Sequence, residues 1–312
     1  MWALGREGLD VVPPWRSLRR IAPWALPAYA ALLLAVNWLR AARWRHLLAP
    51  IAAVPVRRVI AVSWVGFAAI AILPLRLGEL ARPLLIADER ISRSAALGTI
   101  AAERVLDGVV VSMVLAASLL ATPDAPAWIG NAGWATLALF AVALAALYAV
   151  LFARETARRW TERALGLASR RLGTRVGVWV TELAAGLSAL PDRRALAPFL
   201  LETILYWAVN AFSMWVLARG CGLDLSLLGA CSAMAFLAVG ILLPTGPGLF
   251  GNFQYAVFLA LGLYLPADVV HDPGSAYVFV LWASQMTMHV LLAAVSLRAA
   301  NAEKLRGSPS AR

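Results

Sequence analysis

Residues 72–83 read ILPLRLGELARP, from Ile72 to Pro83, and they close an apolar run in which a membrane helix would stay uncharged. Arg76, Glu79 and Arg82 fall three residues apart, so on a helix they share one face. Pro74 frees backbone groups just before them, and Gly78 admits close approach of a neighbour. Each charge inside a bilayer costs about 2.5–3.5 kcal/mol even on an insertion scale. A chain that keeps three of them there either pairs them or lines a polar cavity with them.

The rest of the chain says that the bilayer is indeed the solvent. Of 312 residues, 62% are hydrophobic and 14% charged, with a mean hydropathy of +0.75. A soluble domain is about half apolar and a quarter charged. Long apolar runs recur from end to end, and each helical crossing needs ~20 such residues. The reading is an all-α polytopic membrane protein of about 7–8 membrane helices. It forms a single integral domain over 1–312, ending in a short polar tail at 300–312. The net charge of +11, almost all arginine, would suggest nucleic acid in a soluble protein. Here it reflects the positive-inside rule and anionic head groups, and no groove suited to bases is visible. Cys221 and Cys231 have no CxxC or zinc context, and His46, His271 and His289 are scattered. Neither a metal nor a cofactor is expected. The basic N-terminus and the AYA at Ala28–Ala30 do not make a signal peptide, because Pro23 and Pro27 break the apolar part. An uncleaved first helix is expected.

Full-span candidates are Pro23–Leu39, Ala95–Ala121, Ala132–Ala153, Leu196–Ala218 and Ala276–Leu297. Two further apolar stretches are interrupted: Ile60–Ala87 by Pro74 and its charges, Leu227–Leu265 by PTGPG at Pro244–Gly248. Nine arginines from Arg154 to Arg194 place residues 154–194 in the cytoplasm, as a basic amphipathic connection lying along the anionic leaflet. The GLSAL within it resembles a serine-protease motif only weakly. The linkers around Asp124 and around Asp268 and Asp272 lack Arg and Lys, so they are outside, and the C-terminus is inside. Arg40, Arg43, Arg45, Arg57, Arg58, Arg90 and Arg93 are then expected inside. Both ends of Ile60–Ala87 become cytoplasmic, which predicts a re-entrant hairpin with its tip near Pro74. Leu227–Leu265 begins and ends outside, either as a hairpin from the other side or as two short spans.

The interrupted stretches resemble each other. SWVGFAAIAILPLRLG (Ser63–Gly78) and SAMAFLAVGILLPTGPG (Ser232–Gly248) share Ser, Phe, Pro and Gly in order. Each is flanked by one full span on either side. Helix, hairpin, helix in two opposite orientations is the inverted-repeat plan of many transporters, whose broken helices meet near the midplane. It puts the N-terminus outside despite Arg16, Arg19 and Arg20.

A second charged group, ERVLDG, places Glu103 and Asp107 at i and i+4 with Arg104 beside them. The plain reading is a salt-bridge network pinning helices: Arg76 and Arg82 with Glu79, Glu103 and Asp107. The functional reading is a cavity for an anionic head group, because arginine suits phosphate through paired hydrogen bonds. The carboxylates would then limit the affinity or carry protons. PTGPG either presents backbone N–H groups to an anion at a helix N-terminus or is a tight turn.

RWRHLL, LPLRLGELARPLL, ISRSAALGTIAAERVLDGVVV and PTGPGLFGNFQ together resemble the transmembrane domain of lysyl-phosphatidylglycerol synthases, a family also called flippase-like. The resemblance runs from about Arg40 to Leu297. It implies movement of a phospholipid or glycolipid head group between leaflets. Its motif positions here are Pro74, Arg76, Gly78, Glu79, Arg82, Glu103, Arg104 and Asp107, then Pro244, Pro247, Gly248 and Gly251, with Gly246 between the two prolines. Gln254 stands where the family commonly has glutamate, which leaves the site more positive or its substrate different. No synthase domain follows the last helix, so lysyl transfer is not implied.

The sequence-based conclusion is a translocase for a membrane lipid, either an anionic phospholipid or a polyprenyl-linked or glycolipid species. It is a multi-pass protein of a bacterial-type cytoplasmic membrane. It is not expected to be an enzyme, and it has no nucleic-acid partner. Head-group contacts are expected from Arg76, Glu79, Arg82, Glu103, Arg104, Asp107 and Gln254, with backbone hinges at Pro74, Gly78, Pro244, Gly246, Pro247, Gly248 and Gly251. One rival is a membrane-embedded lipid-linked sugar or phosphate transferase with Glu103 and Asp107 as acid and base. It lacks a metal cluster, a nucleotide-phosphate loop and the D-x-x-D-G-x-x-A-R pattern. The other is a non-transporting scaffold for a partner lipid-modifying enzyme.

Overall fold

The computed structural model describes residues 12–122, 125–153, 178–179, 181–243 and 246–307, with side chains for all of these except 74–76 and 302–307. The described residues are helical, without a strand. The elements are α1 (Trp15–Arg19), α2 (Ala25–Ala42), α3 (Trp44–Leu48), α4 (Val56–Ile72), α5 (Ala81–Ile86), α6 (Arg93–Leu120) and α7 (Ala127–Phe152). After them come α8 (Arg193–Gly220), α9 (Leu227–Gly240), α10 (Asn252–Leu261), α11 (Ala267–His271) and α12 (Pro273–Gly307). Helix α12 thus runs on into the stretch expected as a polar tail. Most of the basic connection expected at 154–194 lies outside the described residues. Its end does not: residues 181–186 form a helical segment across α6, where a Cβ on Gly186 would stand 2.1 Å from the Ala95 carbonyl oxygen. Leu187, Ala189 and Leu190 of GLSAL are buried there as packing residues.

The protein is a multi-pass membrane protein. Ala25–Leu48, Ala127–Phe152, Arg193–Gly220 and Ala267–Asn301 are long and apolar enough to cross a bilayer. Helix α6 has 28 residues, about 42 Å of helix, but carries Glu103, Arg104 and Asp107 in its middle. Ser92 starts it by accepting the Ala95 N–H at 3.1 Å, and Ser226 starts α9 the same way with Gly229 at 3.0 Å.

Both interrupted stretches double back. In the first, α4 ends at Ile72 and a 3₁₀ turn, Pro74–Leu80, leads into α5. Gly78 is where the returning limb of the hairpin touches α4: a Cβ there would stand 2.1 Å from the Ile70 nitrogen. At the mouth, Arg58 donates to Asp88 at 2.8 Å and to the Ile86 carbonyl at 3.0 Å, so both ends lie at one level. In the second, α9 and α10 pack antiparallel, with Gly240 against Ala256 at the tip and Gly229 against Tyr264 at the mouth. Their 14 and 10 residues span about 21 and 15 Å, short of the ~30 Å hydrocarbon core. Leu227–Leu265 is therefore a helical hairpin and not two spans. Its mouth meets the C-terminal end of α6, where Thr122 and Tyr264 share a 3.0 Å hydrogen bond. The first mouth lies at the other end of α6, so the hairpins open in opposite directions.

The packing has the exchange symmetry of an inverted repeat. Helices α2 and α8 run antiparallel, with Gly220 on Ala25 at one end and Arg43 on Thr203 towards the other. Helix α12 packs on the first hairpin through α4, as α6 packs on the second through α9. The two tips, Pro74–Leu80 and Pro247–Leu249, touch each other. Helix α1 and the residue after it sit beside Asp272, where Ser17 and Arg20 both donate to that carboxylate. This pairing accounts for Arg20 on the face that charge counting assigns to the outside.

Candidate functional site

Two apolar cores leave a polar layer between them. One gathers Trp44, Ile86, Ile100, Leu187 and Phe199; the other gathers Tyr29, Met214, Phe253, Tyr277 and Leu281. Along α8 the first ends at Phe199 and the second begins at Ala211. Thr203, Tyr206, Trp207 and Asn210 lie between, at the depth of Glu103 and Asp107 in mid-α6. That depth is about 15–25 Å from the start of either helix.

Two doubly bonded arginine–carboxylate pairs occupy this layer. Arg82 of α5 reaches Glu103 with both terminal nitrogens, at 3.1 and 2.9 Å. Arg43 holds Asp107 the same way, at 2.6 and 2.7 Å, and also donates to Thr203 at 2.8 Å. The side chains of Arg43, Arg82 and Glu103 are fully buried. Arg82 lies over the Trp44 ring at 4.2 Å, and Trp44 is fixed by its Nε1–H bond to Thr99 at 2.9 Å. The stem of Arg82 rests on Gly66, where a Cβ would come within 2.3 Å of it. Arg104 donates to Glu103 and lies 3.9 Å from Asp107, which also accepts the Trp207 indole N–H at 3.2 Å. In low dielectric these pairs are strong, and breaking one leaves a buried charge uncompensated.

Beside the pairs is a cavity of about 120 Å³ between α6, α8, α9 and α12. Arg40, Arg104, Asp107, Trp207, Asn210 and Gln285 give it polar walls. At Val239 it adjoins an apolar groove of about 200 Å³ along α7, lined by Leu115, Gly133, Thr136 and Tyr255.

The structure brings Arg82, Glu103, Arg104 and Asp107 into one network, as their spacing suggested. Glu79, in the 3₁₀ turn, is half-buried, and its charge acts on Arg104 and Arg40. The side chains of Pro74 and Arg76 lie outside the described residues, as does Pro244 at the second tip.

At that second tip, Gly248 and Gly251 adopt positive φ, 75° and 96°, a backbone region in which glycine is unstrained. Trp282 of α12 donates to the Gly248 carbonyl at 2.7 Å. Gly246 and Pro247 are exposed there. Gln254 is fully buried, and its amide oxygen accepts the Gly251 N–H at 2.7 Å, closing the start of α10. It makes no hydrogen bond to the ion network among the described residues.

Sequence reasoning placed Arg40 and Arg43 in the inner connection. They instead sit within the bundle, because α2 runs to Ala42 and α3 continues it. RWRHLL held the signal for Arg43. Thr203, Trp207 and Asn210 were also missed, although spacings of four and three put them on one face of a membrane helix. Gln285 is the one amide within the apolar run Ala276–Leu297, readable as polar-facing but without an obvious partner.

A family model described as the lysylphosphatidylglycerol synthase TM region matches residues 1–291. No curated protein and no solved structure matches the chain.

Proposed function

This chain belongs to the lysylphosphatidylglycerol synthase TM-region family, and from that premise we propose that it moves a lipid head group between the leaflets of a bacterial-type cytoplasmic membrane. The observation that carries this reading is the polar cavity at mid-depth, next to an apolar groove. An amphiphile needs both: donors for the head group and apolar walls for a chain. The inverted hairpins supply two elements that open in opposite directions around that depth, the arrangement on which alternating access rests. The doubly bonded pairs hold the α2–α3 junction, α5 and α6 in register, so the cavity wall is preorganised.

The test is reconstitution of the purified chain into vesicles containing a fluorescent phospholipid, with and without an imposed pH gradient. A membrane-impermeant quencher should reach label from the inner leaflet faster than in protein-free vesicles. Equal rates in both, under both conditions, would remove the translocation reading. Mass spectrometry of the same lipids separates the transferase alternative, which requires a new lipid species.

A further inference from the structure

We infer that Arg40 is the residue that reads the anion in this cavity, taking a phosphate ester on a guanidinium to which no described carboxylate is bonded. The inference deepens the translocation reading and depends on it for its biological meaning. Arg43 is held by Asp107, Arg82 by Glu103, and Arg104 by Glu103 with Asp107 nearby. Arg40 lines the cavity, and the charges of Glu103 and Glu79 act on it, but it makes no hydrogen bond to a carboxylate among the described residues. Its close contact is the ring of Phe67, 4.1 Å from the guanidinium carbon.

A cation stacked through its face keeps its edge donors available. That edge is the fork that matches two phosphate oxygens. The cavity adds Arg104, Asn210 and Gln285 as further donors. Asp107 also lines it, but its oxygens already accept from Arg43 and Trp207, which offsets its repulsion of an anion. Arg82, by contrast, is fully buried against Glu103 and does not line the cavity. Among the described arginines the phosphate reader is therefore Arg40 of α2 and not Arg82.

The experiment measures lipid retained by the purified chain in native mass spectrometry, using dioleoylphosphatidylglycerol, dioleoylglycerol and inorganic phosphate as probes. Arg40→Gln should lower phosphatidylglycerol retention about tenfold or more and leave dioleoylglycerol unchanged. Arg40→Lys should fall between, since the charge remains and the fork is lost. Displacement of phosphatidylglycerol by millimolar inorganic phosphate would assign the site to free phosphate rather than to a lipid head group, and overturn the lipid part of the inference. Unchanged phosphatidylglycerol retention in Arg40→Gln overturns the whole of it. If Arg40→Gln does not fold, Arg40→Lys decides: wild-type retention overturns the inference. Absence of transport by the wild-type chain in vesicles, with selective retention intact, would sink the translocation reading and leave the anion site standing.

Discussion

The two hairpins occupy exchanged positions in the fold, yet different forces hold them. The first, 56–88, is tied by charge: Arg82 to Glu103 inside the bundle and Arg58 to Asp88 at the mouth. The second, 227–265, is tied by neutral contacts: Trp282 to the Gly248 carbonyl at the tip and Thr122 to Tyr264 at the mouth. Similar backbone plans thus need not share chemistry. A buried ion pair loses much when one partner goes, because the other is left charged in low dielectric. A neutral hydrogen bond loses about 1 kcal/mol. The first hairpin should therefore be the more sensitive of the two to loss of a single tie.

The largest effect should come from cutting the charged tie. Arg82→Ala leaves Glu103 with fewer donors and should cost about 3 kcal/mol or more in unfolding free energy, read from thermal or denaturant melts in detergent. A loss under about 1 kcal/mol would mean that Arg104 and Arg43 suffice, and the contrast between hairpins would weaken.

Next are the glycines. Gly78→Ala puts a Cβ 2.1 Å from backbone and should cost about 1–3 kcal/mol. Gly246→Ala at the other tip meets nothing within 4 Å and has a negative φ of −68°, so it should change stability by about 0.5 kcal/mol or less. Equal effects would show that the two tips are equally packed.

Trp282→Phe removes one hydrogen bond to a backbone carbonyl and should cost about 1 kcal/mol. Amide hydrogen exchange should quicken over 246–252 and stay unchanged over 77–86. Quickening in both would couple the touching tips.

The smallest effect is pH dependence at the mouths. The Arg58 hydrogen bond, with backbone N–H bonds from Arg90 and Ile91, holds the Asp88 carboxyl down at about 2. A depressed carboxylate contributes stability that is full above its unfolded value of about 4 and is lost as pH falls towards 2. Acid should therefore loosen the first mouth in that window, and Asp88→Asn should abolish the dependence. Hydrogen exchange at 86–91 reads it, with the neutral Thr122–Tyr264 mouth as an internal control.

The class of fold, both interruptions and most of the ion network were legible in the residues. Apolar runs of ~20 residues have few alternatives to helix in a bilayer, because backbone groups there must be satisfied within the segment. Charges in such runs stand out because they are costly. Arginine counting put the two ends of each interrupted stretch on one side, as the hairpins have them, but it also assigned Arg40 and Arg43 to the inner connection. The rule reads charge near helix ends, and these two lie near the end of α2 while their guanidinium groups turn into the bundle.

By itself, the sequence determined an all-helical membrane protein with two broken segments and a charged centre, since hydropathy and charge are local properties of the chain. Only the tertiary structure decided that Leu227–Leu265 is a hairpin, that Gln254 closes its own helix, and which carboxylate neutralises which arginine. Glu103 has arginines from α5, α6 and the α2–α3 junction within reach, and Arg43 is 60 positions away in sequence. Pairing of that kind depends on where helices cross, and no local pattern encodes it. For the same reason Arg40, a cavity-lining guanidinium with no carboxylate bonded to it among the described residues, became visible only after its neighbours had been paired.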